Sequence, residues 1–218
     1  EALAQIAERL GWDQETMMPR GAAHQRGEEM AAIEGVLHAR RTDARVGEWL
    51  DSAKAPDAAG ARSIALIALS YRRNACIPAR LAAELARVTS VAQGNWADAR
   101  ATENVAHFLP TLENVLALKR EVADALVAGG FGATRYDALL DAFEPGATEE
   151  SIGAMFDRMR PRLVDLRMRI LESDEQPSAL DHRFDEAPQL ALAREMADAF
   201  GYDWTRGRLD FAVHPFSS

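Results

Sequence analysis

Tyr202-Asp-Trp-Thr-Arg-Gly-Arg-Leu-Asp-Phe-Ala-Val-His-Pro-Phe-Ser-Ser218 is the one stretch of this sequence that reads as strand. Leu209, Phe211 and Val213 alternate with Arg208, Asp210, Ala212 and His214, the period of two that marks a half-buried strand. A lone strand cannot satisfy its row of N–H and C=O groups, and even a two-stranded hairpin is marginal in water. No second convincing strand pattern precedes it. The expected fold class is therefore all-α, with a short C-terminal β-strand left unpaired, and the unfinished sheet leads us to expect a piece of a larger protein.

Outward from that stretch the periodicity is helical. A helix over Pro188–Phe200 leads into the strand through Gly201. Before it, Thr148–Ser173 keeps Ile152, Met155, Phe156, Met159, Leu163, Leu166 and Ile170 on one apolar stripe. Thr148 suits its N-cap, Glu149 and Glu150 suit the positive end of its dipole, and Pro161 is expected to kink it without ending it. A brief helix at Tyr136–Phe143 stops at Glu144-Pro-Gly146. Another begins near Asn104 or His107 and ends at Gly129-Gly130. Pro78 opens a helix with Leu81, Leu85, Val88, Ala92 and Trp96 down one face. Residues 58–76 are apolar around most of the circumference, which predicts a central helix buried on several sides. A short helix around Val46–Leu50, a longer one over Ala22–Arg41 and a first one over Leu3–Met17 complete the set. With no repeat, low-complexity tract or linker, residues 1–218 read as one helical domain.

A hydrophobic content of 48% in 218 residues supports a sizeable core. The net charge of −9, from 25 Lys and Arg against 34 Asp and Glu, argues against nucleic acid, whose phosphates need a concentrated basic face. Cys76 is the one cysteine, so no internal disulfide framework exists, and a reducing cytoplasm is the expected location. The longest apolar run, Ile64–Leu69, is far too short for a bilayer, so no membrane is expected as a partner.

Little of the chemistry-bearing inventory forms a recognisable set. None of His24, His38, His107, His182 and His214 lies four residues from another, so no helix offers two imidazoles to a metal, and this chain is expected to bind none. A G-x-S-x-G elbow and a P-loop are both missing. Gly129-Gly-Phe-Gly132 lacks the strand and helix that flank a dinucleotide turn, and reads as a helix stop and flexible corner. Arg158, Arg160, Arg162, Arg167 and Arg169 read as a solvated face rather than an anion clamp, with Asp157, Asp165 and Glu172 at helical pairing distance. Cys76, without a base nearby in sequence, reads as a small buried hydrophobe.

Two stretches carry more. Gly11-Trp-Asp-Gln-Glu-Thr-Met-Met-Pro-Arg20 ends a helix with two acids and an indole; taken alone, it packs Trp12 and Met17 into the core. His214-Pro-Phe216 holds an imidazole in a fixed direction, because proline keeps the preceding residue extended.

Trp12-Asp-Gln-Glu-Thr-Met-Met-Pro19, Tyr136-Asp-Ala-Leu-Leu-Asp-Ala-Phe-Glu-Pro-Gly146 and Arg206-Gly-Arg-Leu-Asp-Phe-Ala-Val-His-Pro-Phe216 occur in that order. Together they resemble the N-terminal part of the carboxypeptidase Taq family of zinc metallocarboxypeptidases, over essentially the whole chain. The resemblance implies a multi-helix, neurolysin-like fold with a deep cleft, and an enzyme that removes C-terminal residues from peptides or unfolded proteins. It also implies zinc in the parent, held by an H-E-x-x-H helix and a further glutamate, with zinc activating water and the motif glutamate serving as general base. Those groups are not in this sequence. The chain is expected to form the cleft wall, to bind no zinc and to be inactive alone, with His214, Pro215 and Phe216 matching a motif near the substrate cleft and no catalytic residue of its own. A homodimer follows from the resemblance alone. The competing expectation is a non-catalytic helical module that binds a partner protein.

Overall fold

The computed structural model describes residues 1–175, 177–179, 181–214 and 216. Among them run nine α-helices: α1 Ala2–Thr16, α2 Ala23–Arg41, α3 Ala44–Ser52, α4 Ala58–Cys76, α5 Ala79–Ala101, α6 Val105–Ala128, α7 Arg135–Leu140, α8 Glu149–Leu171 and α9 Glu186–Ala199. Side-chain caps set several of the boundaries. Asp43, Asp57, Asn104 and Thr134 each accept a backbone N–H at the start of α3, α4, α6 and α7, as short polar N-caps do. Thr148 and Ser151 bond reciprocally, each hydroxyl to the other's backbone N–H, in a capping-box arrangement that starts α8. That helix continues through Pro161, as its in-phase stripe predicts.

The chain divides into two compact units, Glu1–Gly153 with Ala212–Ser218, and Ala154–Phe211. In the first, α5 packs against both α2 and α6. Its core joins Leu81 and Val88 of α5, Leu118, Val122 and Leu126 of α6 and Ala138 of α7, with Cys76, Ile77 and Phe131 packed against it. Close approach of α2 and α5 rests on Gly27, where an added Cβ would lie 3.0 Å from a Val91 methyl and 3.2 Å from the Arg87 carbonyl. His38 is a satisfied core histidine, its Nε2 2.8 Å from the Ile77 carbonyl oxygen.

Three expectations need correction. Helix α4 is not the buried centre: none of its residues is buried, and Ile67 is 53% exposed. An apolar circumference shows that a helix needs cover on several sides, whereas α5 carries the small residues that let two neighbours approach. Leu209–Val213 forms no strand, because a strand is defined by its ladder and no described segment pairs with it. Finally, the Gly129–Gly132 corner is tightly built. Phe131 N bonds to Leu126 O and Gly130 N to Val127 O, closing α6 in a Schellman motif with Gly130 at φ +83°. At Gly132, φ +79°, a Cβ would sit 2.7 Å from the Ala138 nitrogen.

The motif around Tyr136 turns out to be a structural tie in the first unit. Asp137 is buried, accepting from the Thr134 hydroxyl and the Glu149 N–H. Asp141 meets Arg73, which also donates to the Ala138 carbonyl. Replacing Asp137 with alanine leaves those donors without their acceptor, and is expected to cost about 1–3 kcal/mol in urea unfolding of this chain.

The second unit holds most of α8, together with α9, and neither helix buries a residue. Phe156, Met159, Leu163 and Val164 stay exposed along α8, as do the five arginines between 158 and 169. Trp204 lies 4.7 Å from Tyr202, centroid to centroid, with the Arg194 guanidinium 5.1 Å from its ring centre. Among the described residues no helix is long and apolar enough to cross a membrane.

Candidate functional site

The end of α1 is fixed from two neighbouring helices. The Arg26 guanidinium, on α2 and itself buried, donates to the Leu10 carbonyl and the Asp13 carboxylate, both at 2.5 Å, and to Glu29 at 2.9 Å. Two hydrogen bonds come from α5: the Ser90 hydroxyl donates to the Gln14 side-chain oxygen, and Gln93 Nε2 donates to Glu15 at 2.5 Å. Three successive residues thus hold three different groups, which the helix achieves by turning about 100° per residue. Met17, expected in the core, is exposed, because the segment is anchored by these polar contacts instead.

Glu15, Gln93 and Trp96 line a concavity of about 310 Å³, completed by His214 and Phe216. The rings of Trp96 and His214 meet edge to face, with centroids 6.2 Å apart and planes at 70°. Burial pushes the Glu15 carboxyl above its ordinary value, against the lowering effects of the Gln93 hydrogen bond, Arg20, His214 and Gln14. A raised folded-state value means the native state holds this proton more tightly than the unfolded chain. The stability contributed by protonated Glu15 is therefore lost as pH rises from the unfolded carboxyl value, about 4.3, through the folded one. Glu15→Gln keeps the acceptor for Gln93 and removes the buried charge. It is expected to raise the melting temperature at pH 7 and to remove this part of the pH dependence; melting curves of both proteins between pH 4 and 7 check it.

His214 and Phe216 are thus placed side by side in one concavity, and Pro215 lies outside the described residues. Reading the sequence alone missed Glu15, Gln93 and Trp96 as their companions. Glu15 lies inside the Trp12–Pro19 motif, and Gln93 and Trp96 share a helix face at i, i+3. Nothing local in the sequence joins that face to the C-terminal residues. No group of three or more His, Cys, Asp or Glu among the described residues could hold a metal ion, so the zinc implied by the resemblance does not fit here.

A helical bundle carrying the three motifs in this order has the architecture of a neurolysin-like metallopeptidase. The chain belongs to the carboxypeptidase Taq (M32) metallopeptidase family, whose family model matches residues 1–218. It is 37% identical to thermostable carboxypeptidase 1 of Thermus thermophilus, an alignment covering 98% of this chain and 45% of that protein. A solved structure, the M32 carboxypeptidase from Deinococcus radiodurans R1, is similar with a TM-score of 0.72 at 29% identity, over 98% of this chain and 43% of that one. The crystal structure of BsuCP shares the fold at a TM-score of 0.86 and 24% identity, over 98% of this chain and 44% of that one. The chain spans about half the length of the curated relatives it matches, 45% of the first.

Proposed function

We propose that this chain is the N-terminal portion of a zinc-dependent metallocarboxypeptidase that removes residues from the C-termini of peptides and unfolded proteins, and that it forms part of the cleft wall. The observation that carries the reading is the His-Pro-Phe motif, whose His214 and Phe216 line a concavity with Trp96 and Glu15. An imidazole that can donate or accept a hydrogen bond, beside two aromatic surfaces, suits a peptide with both polar backbone and apolar side chains. The zinc of such an enzyme would activate water for attack on the peptide bond, held by residues that are not among these 218. The chain by itself is accordingly proposed to be inactive, and the complete enzyme to be a cytoplasmic homodimer.

The test compares this chain with the extended reading frame that includes an H-E-x-x-H motif. Only the extended, zinc-loaded protein is expected to release C-terminal residues from a peptide. In that protein His214→Ala should leave zinc content and melting temperature nearly unchanged. Losing one substrate hydrogen bond, worth about 0.5–3 kcal/mol, lowers kcat/KM by roughly two-fold to a hundred-fold. A variant that melts several degrees early while its folded fraction cleaves at the parental rate assigns His214 a structural role instead.

A further inference from the structure

We propose that Glu15 is a positioning residue: its carboxylate, held by Gln93, fixes the His214 imidazole against the edge of Trp96. The inference rests on the reading of His214 as a cleft residue, and adds the group that orients it.

Geometry supplies the first support. Glu15, Gln93, Trp96 and His214 line the same concavity, and the imidazole already meets the indole edge to face. The 70° between the planes restricts the ring from one side, so a carboxylate in the same wall supplies a second restraint. Glu15 is itself immobilised at both levels. Its side chain accepts from Gln93, and its helix end is clamped through Asp13 and Leu10 by Arg26.

Cost supplies the second support. Gln93 gives its amide N–H to Glu15 while its own Oε1 stays buried without a hydrogen-bond partner among the described residues. Burial meanwhile works against the Glu15 charge. Two unfavourable desolvations at one point are not explained by stability, and such arrangements concentrate where a group must be held in one place. The charged or titratable groups that bear on Glu15 are Arg20, which also faces Asp98 at 3.5 Å, and His214; Gln14 and Gln93 reach it as neutral hydrogen-bonding groups. Arg20 alone does not account for the acid, because it is half-exposed and already shares its charge with Asp98.

The pair is tested by NMR on the 218-residue chain, with no readout of hydrolysis, so its failure is separate from failure of the carboxypeptidase reading. In the native chain, cross-relaxation is expected between ring protons of His214 and Trp96. Glu15→Gln, equal in shape but uncharged, should lose it or weaken it several-fold while the helical spectrum is retained. In a second variant, His214→Ala, the Glu15 carboxyl should titrate at higher pH than in the native chain, since a group that lowers it has been removed. Full-strength cross-relaxation in a folded Glu15→Gln chain overturns the proposal. So does an identical Glu15 titration with and without His214, a measurement that decides the matter even where Glu15→Gln fails to fold.

Discussion

Leu126→Ala is expected to destabilise this chain by about 2–5 kcal/mol, the range for emptying a well-packed core site. Leu126 is 0% exposed and sits where α6 meets α5 and the Ala138 end of α7. Its carbonyl also closes the Schellman motif through Phe131, whose ring packs on the same cluster. The cavity therefore opens beside a helix terminus that cannot collapse inward without breaking its own cap, which favours the upper part of the range. At about 2–4 °C per kcal/mol for a chain of this size, the melting temperature should fall by roughly ten degrees. Leu163→Ala is the control. Leu163 has the same chemistry but is 54% exposed on α8, and a change of about ±0.5 kcal/mol is expected there. Equal losses from the two variants would mean that α8 is covered in solution.

The second large effect is expected from Arg26→Met, which keeps the length of the side chain and removes its charge. Arg26 is 10% exposed at its side chain and ties α2 to α1 through Leu10 and Asp13, with Glu29 of its own helix as a third acceptor. The variant should lose about 3 kcal/mol, the lower end for breaking a buried pair, because Asp13 and Glu29 retain access to water and are not stranded. Arg26→Lys restores the charge but not the fork that reaches three acceptors at once, so about half the loss should remain. Urea unfolding of the three proteins reads both values. A loss below about 0.5 kcal/mol in Arg26→Met would show that the end of α1 is held by packing rather than by the guanidinium. The same variant should also disturb the His214–Trp96 contact, since Glu15 lies two residues beyond Asp13.

By itself the sequence determined the helices, their caps and the family. Thr148 announces a helix start, and Gly129-Gly130 announces a stop, because capping is settled by groups within four residues of one another. Three motifs in order sufficed for the family, and the third of them carried His214 and Phe216. Tertiary structure decided what those elements meet. Apolar periodicity shows which face of a helix needs cover but not what supplies it. Hence α4 read as central while α5, with its small residues and close approach to Gly27 of α2, took that place. The acids of the Tyr136 motif read as part of a family signature, and packing turned Asp137 into a cap for α8 and Asp141 into a partner for Arg73. Leu209–Val213 has a strand's alternation, yet a ladder depends on a second segment, and alternation alone supplies none. Glu15 and His214 lie at opposite ends of the chain, and no local rule couples them. Their place in one concavity depends on Arg26 setting the end of α1 and on Gln93 and Trp96 sharing one face of α5, contacts that exist only once the helices have packed.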